Sequence, residues 1–219
     1  MAAASTSGSA NPGSARSLAL AALPAALVVV ILGLDRVQFA HSWPNVIIGI
    51  LDEPAHLATG VLVLLAFAGP AWLLRHRLFA GAALFFSMAI DADHIPYYAG
   101  VRLFTAHGRP FSHSVAMVLL LLVIGALLPI KRFRRLRPVL LGAGVGVALH
   151  LIRDLGNGPG VPLLWPLTSR NVIFPYTYYV VAIGLVAVVA TVRLFRFSRT
   201  PTAPAASGAA SIVGARVSG

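Results

Sequence analysis

Six apolar runs, at residues 17–34, 52–74, 77–95, 113–130, 138–155 and 174–194, govern what this chain can fold into. Each is near the ~20 residues that a helix needs to cross a bilayer. In lipid, every backbone N–H and C=O must find its partner within the protein, which leaves helices or a closed barrel. Apolar runs of this length select helices. The expected fold class is all-α: a polytopic membrane protein with about six transmembrane helices in one integral domain over residues 16–197. The flanks, 1–15 and 198–219, are rich in Ala, Ser, Gly, Thr and Pro and are expected to be disordered tails. The first run is longer than the apolar core of a signal peptide and lacks a clean small-x-small cleavage site, so it is expected to be retained as a helix. Nothing in the chain reads as a tandem repeat.

Against that background the acids stand out. Only six residues are acidic, in a chain that is 58% hydrophobic and 11% charged. Five of the six stand near a histidine inside an apolar run: Asp52 and Glu53 before His56, Asp91 and Asp93 before His94, and Asp154 after His150. An ionised group in an apolar medium is costly unless something pairs with it. A shared divalent cation is the simplest partner for so many carboxylates and imidazoles. The chain has no cysteine, so any such ion is held by nitrogen and oxygen.

The net charge of +11 suggests nucleic-acid binding, but its distribution speaks against it. Arg16, Arg75, Arg77, the basic run 131–137, Arg193, Arg196 and Arg199 fall at alternate ends of the six runs. This positive-inside pattern puts both termini in the cytoplasm and lets the basic loop touch anionic lipid. Membrane lipids are the expected partners, and no nucleic acid is expected. The same topology carries the acids and histidines of three helices, and the connecting loop with His107 and His113, to the outer face.

Helix periodicity tightens the grouping. Asp52 and His56 are four apart, as are His150 and Asp154, while Asp91 and His94 are three apart, so each pair shares a face. Pro96 biases Ile95 out of the helical region, so the third helix is expected to end near His94 and free Asp93 to turn inward. Gly142 and Gly146 continue the stripe of His150 and Asp154. Small residues four apart permit close helix approach, here to the second or third helix, or they simply relax packing. In the loop, Ser112 or Ser114 suits a helix cap, and Arg109 suits either an anionic group such as phosphate or the lipid headgroups at the interface. The segment 160–167 is apolar, aromatic and Pro-broken and reads as a re-entrant or interfacial lid near the site. Asp35 reads as the end of the first helix, and His41 and His76 read as loop histidines.

Taken together, His56-x-x-x-Gly60, Asp91-Ala-Asp-His94, the Phe-Ser-His113-Ser loop after His107, and His150-x-x-x-Asp154 followed by Gly160-Val-Pro-Leu-Leu-Trp-Pro resemble one family. It is the YdjM-like family of bacterial inner-membrane proteins, described as metal-dependent hydrolases and also as LexA-binding. The resemblance covers roughly residues 52–167. It implies a multi-pass protein of the bacterial inner membrane, and a distant kinship with zinc-dependent phospholipase C and P1-type nucleases, whose helical cores hold metal clusters with His and Asp.

The expected function is a membrane-embedded metal-dependent hydrolase acting on a phosphoester or lipid-linked substrate. The expected ligands are His56, Asp91, Asp93, His94, His107, His113, His150 and Asp154, holding one or more divalent ions, zinc first and manganese or iron next. Glu53 or Asp52 would be the general base or an anchor for a ligand histidine, and Arg109 and Arg153 would neutralise phosphoester charge. Two rivals stand beside it: a metal or proton transporter, and a non-catalytic interaction protein whose metal staples its helices.

Overall fold

A computed structural model describes residues 12–98, 100–101, 105–106 and 109–199. Among the described residues its regular structure is helical, apart from a two-residue β-pair, Thr105–Ala106 with Arg109–Pro110, and an isolated bridge between Val161 and Val172. The principal helices are α1 (Pro12–Ala40), α2 (Asn45–Phe67), α3 (Pro70–Arg75), α4 (Arg77–Ala89), α5 (His94–Tyr98), α6 (Val115–Leu127), α7 (Leu136–Asp154) and α8 (Tyr176–Arg199). Among the described residues, five segments are long and apolar enough to cross a membrane: Ser17–Ala40, Val46–Phe67, Arg77–Pro96, Leu136–Asp154 and Tyr176–Arg199.

The expected fourth span, 113–130, is not among them. α6 has 13 residues, about 20 Å of helix against a hydrocarbon core of about 30 Å. Ser114 starts it as an N-cap, and Leu128 leaves the helical region (ψ 129°) before Pro129. The second helix also differs from the expected 52–74. It spans Asn45–Phe67 and stops at Gly69, whose φ of 78° suits glycine, and Pro70 then opens α3. Asp52, Glu53 and His56 therefore lie two to three turns inside α2 rather than in its first turns. α1 runs on past residue 34, so Asp35 lies within the helix. Residues 12–15 and 198–199, assigned to the tails on composition, are helical; the remainder of both tails lies outside the described residues.

α2 sits centrally. One side packs on α1 and α8 through Ile31, Leu62, Leu65, Tyr179 and Ile183, and the other meets α4 and α7 near Leu64, Ala83 and Leu149. The most extensive helix contact is α4 with α7. The two helices run in the same direction with no room between them. A Cβ on Gly142 would strike the carbonyl oxygen of Phe79, and one on Gly146 would strike that of Ala83. The glycine stripe thus docks α7 against the third expected helix. Continuing four residues at a time, the pairs Gly142–Phe79 and Gly146–Ala83 lead to His150 beside Ser87.

Adding a methyl group at that contact tests its tightness. Gly146→Ala is expected to cost about 1–3 kcal/mol through overpacking. Gly184→Ala, where a Cβ meets nothing within 4 Å, is expected to leave stability unchanged or slightly raised. Thermal unfolding in detergent compares the two.

Candidate metal centre

α4 does not end at His94. Its last turn tightens into a 3-10 segment at Ile90–Asp93, and α5 follows with Pro96 in its first turn, where the missing N–H costs nothing. The tighter turn narrows the angle between Asp91 and Asp93 from about 160° to about 120° around the helix axis. Asp93 accepts a hydrogen bond from Ser112, and its Oδ1 lies 3.1 Å from His94 Nδ1. Ser114, rather than Ser112, caps α6 by accepting from the Met117 N–H. That cap fixes the chain entering α6 and points His113 inward, fully buried.

Seven of the expected ligands converge at one end of the bundle. Asp91 Oδ1 is 2.9 Å from His113 Nε2, 3.3 Å from His150 Nε2 and 3.4 Å from His94 Nδ1. Asp154 bridges: Oδ1 is 3.5 Å from His56 Nε2, and Oδ2 is 3.3 Å from His150 Nε2 and 3.9 Å from His113 Nε2. The rings of His56 and His150 stack at 3.8 Å, only 6° from parallel. Three groups, His56–His150–Asp154, Asp91–His113–His150 and Asp93–His94–His113, each present donor atoms within 4.8 Å of one another and can hold a metal ion.

The hydrogen bonding supports a cation there. His150 Nδ1 faces the Ser87 carbonyl oxygen at 2.9 Å, and since a carbonyl only accepts, Nδ1 carries the proton. In the neutral ring Nε2 then presents a lone pair to two carboxylate oxygens, both at 3.3 Å. Three acceptors aimed at one another repel unless positive charge lies among them, either a metal ion or a second proton on Nε2. Neither ring nitrogen of buried His56, nor Nε2 of His150, makes a hydrogen bond. A backbone carbonyl orienting the far nitrogen of an imidazole is also the usual support for a metal-binding histidine.

The other expected residues divide. Arg153 is 0% exposed, and its guanidinium is committed. It donates to Asp35 Oδ1 at 2.5 Å, to Asp52 Oδ1 from Nε at 2.9 Å and from Nη2 at 2.5 Å, and to Tyr179 Oη at 3.4 Å. It therefore faces the protein's own carboxylates rather than a substrate. Asp52 uses its second oxygen, Oδ2, toward His56 Nε2 at 3.4 Å. Glu53 stands at the edge of the cluster, with Oε2 buried and without a hydrogen-bond partner. His107 lies outside the described residues, as does the side chain of Arg109. The segment 160–167 packs beside the site: the Leu163 carbonyl accepts from the Val115 N–H, and Trp165 meets Phe111 at 5.2 Å.

Asp35 is the residue that sequence reasoning misplaced. It is 1% exposed and also accepts from the Tyr176 hydroxyl at 2.6 Å. The cost of an acid within an apolar run, which singled out the other five, applied to it equally.

The profile of the YdjM inner membrane protein family matches residues 51–217. The chain belongs to that family. Among curated proteins and solved structures, none matches it. The YdjM match begins one residue before Asp52 and takes in all eight expected ligands, while Asp35 lies outside it.

The Arg153 network carries its own prediction. Arg153→Leu strands Asp35 and Asp52 without their cation and is expected to destabilise the protein by about 3–5 kcal/mol. Arg153→Leu combined with Asp35→Asn should recover part of that loss, read as thermal unfolding in detergent.

Proposed function

We propose that this YdjM-family chain is a membrane-embedded, metal-dependent hydrolase of phosphoesters. The observation that carries this reading is the convergence of His150 Nε2 on the carboxylates of Asp91 and Asp154, an arrangement that could hold a metal ion in the bundle. The donor set, imidazole nitrogens and carboxylate oxygens without sulfur, fits zinc, with manganese or iron as alternatives. His56, His113, His150, Asp91 and Asp154 would hold one ion, and Asp93 and His94, with His113 or Asp91 shared, would hold a second. A divalent cation there supplies Lewis acidity toward water and a phosphoryl oxygen.

The chain's own groups supply the rest. Glu53, at the rim with an uncommitted oxygen, takes the proton from the attacking water. The water oxygen joins phosphorus, the ester P–O bond breaks with its electron pair on the leaving oxygen, and Glu53 returns the proton there. Asp52 orients His56, and Arg153 holds Asp52, so both are positioning residues. Arg109 is assigned to the phosphoester's charge on sequence grounds. In the membrane, we place the acidic end outward and both termini in the cytoplasm: α4 and α7 run in the same direction, so the short α6 must carry the chain back across between them.

A transporter would need polar groups continuing along the bundle. Among the described residues, α2 has no buried polar side chain beyond Thr59, and the core there is Leu62, Leu65, Ala66, Ile183, Ala190 and Leu194. The full burial of His56 and His150 favours, as a second reading, a metal that only staples helices. Stoichiometric metal with no turnover on any phosphoester would support that reading.

Metal analysis of the purified protein should find at least one equivalent of zinc, manganese or iron, with His150→Ala and Asp154→Ala each largely depleted. A wild-type protein without stoichiometric transition metal sinks the proposal. Glu53→Gln should keep the metal and lower phosphoester turnover by roughly 10²–10⁴-fold. Undiminished turnover would remove Glu53 from the mechanism.

A further inference from the structure

We infer that the groove between α2 and α4 receives the long apolar chain of a membrane phosphoester, so that substrate enters the metal centre sideways from the bilayer. The inference rests on the phosphoesterase reading and names its substrate class. The groove encloses about 440 Å³, within the range of small-molecule sites. Val46, Gly49, Ile50 and Glu53 contribute from α2 at spacings that share one helical face, and Phe85 and Met88 contribute from α4.

Three features distinguish this groove from an ordinary lipid-facing gap. First, it has a polar patch. Glu53 and Asp91 both line it, and Asp91 is the carboxylate that contacts His94, His113 and His150. The wall of the groove is therefore also a wall of the metal centre. A second groove of similar volume, about 460 Å³ and lined by Val63, Phe67, Phe79 and Leu149, contains no ionisable residue.

Second, the apolar part opens outward. Val46, Ile50 and Phe85 are 69%, 63% and 63% exposed on segments long enough to span the membrane, so lipid tails meet them directly. Third, Gly49 leaves the floor open, since a Cβ there would meet nothing within 4 Å. A chain lying along Ile50 and Phe85 carries its phosphate to the level of Glu53 and Asp91, where the metal ligands begin. A diacyl phospholipid and a polyprenyl phosphate share this chemistry.

The full chain in lipid nanodiscs, supplied in separate arms with a phosphatidic acid or a polyprenyl phosphate bearing a diazirine in its apolar chain, tests the inference. Photo-adducts mapped by mass spectrometry should favour Ile50 and Met88 over Phe67 by about tenfold, and the stronger arm identifies the chain type. Gly49→Trp fills the groove and should remove most of that labelling while leaving Phe67 labelling and metal content unchanged. Gly49→Leu, a smaller change that favours helix, should act in the same direction. Equal labelling of Ile50, Met88 and Phe67, or labelling indifferent to both substitutions, overturns the inference.

Turnover separates this failure from failure of the hydrolase itself. Gly49→Trp should lower hydrolysis of a long-chain phosphoester about tenfold or more and spare that of p-nitrophenyl phosphate. An equal loss on both substrates overturns sideways entry. Absence of metal and of all turnover in the wild type would defeat the hydrolase reading, while the labelling still judges the groove.

Discussion

The structure depends on one buried guanidinium. Arg153, on α7, holds Asp35 of α1 and Asp52 of α2 and meets Tyr179 of α8, so a single cation ties four helices together. A buried charge of this kind is costly alone and acceptable only when paired and fully hydrogen-bonded. The pairing has a geometric product. With one oxygen of Asp52 held by Arg153, the other is left facing His56, so the ion pair orients a histidine of the candidate metal centre. Tyr179 extends the network to Thr59 at 2.7 Å, so the polar centre of α2 is anchored along more than one turn.

The second constraint is the close approach of α4 and α7. A helix pair separated by ordinary side chains would hold the His150 imidazole away from the neighbouring backbone. Glycines at 142 and 146 remove that spacing, and the first large polar residue of the stripe, His150, reaches the Ser87 carbonyl. Packing and chemistry therefore share one periodicity. Its lower half brings the backbones together, and its upper half delivers the ligands.

Much of the centre was legible in the sequence, because polar groups in lipid have few reasons to be there and helical spacing says which of them face together. Convergence of His56, Asp91, Asp93, His94, His113, His150 and Asp154 follows from those two facts. The pairing of Arg153 was not legible. Its partners lie 101 and 118 residues away, and sequence spacing carries no information about contacts across the bundle. Helix boundaries failed where apolarity was trusted over breakers: Gly69–Pro70 ends α2 within an apolar run, and Leu128–Pro129 shortens α6. The groove beside Gly49 exists only once α2 and α4 are assembled, so no local pattern announces it.

The same sequence separations order the assembly in time. At roughly 5–20 residues per second, synthesis delivers Arg153 on the order of 5–20 s after Asp52 has left the ribosome. Throughout that interval α1 and α2 carry carboxylates whose cation does not yet exist. Lipid is a poor place for them to wait, so these two helices must keep their acidic turns near the aqueous interface, or within the insertion machinery, until α7 arrives. Arg153 is thus the last of the three charged partners to be made, and its arrival completes a network whose two acids, on α1 and α2, came earlier.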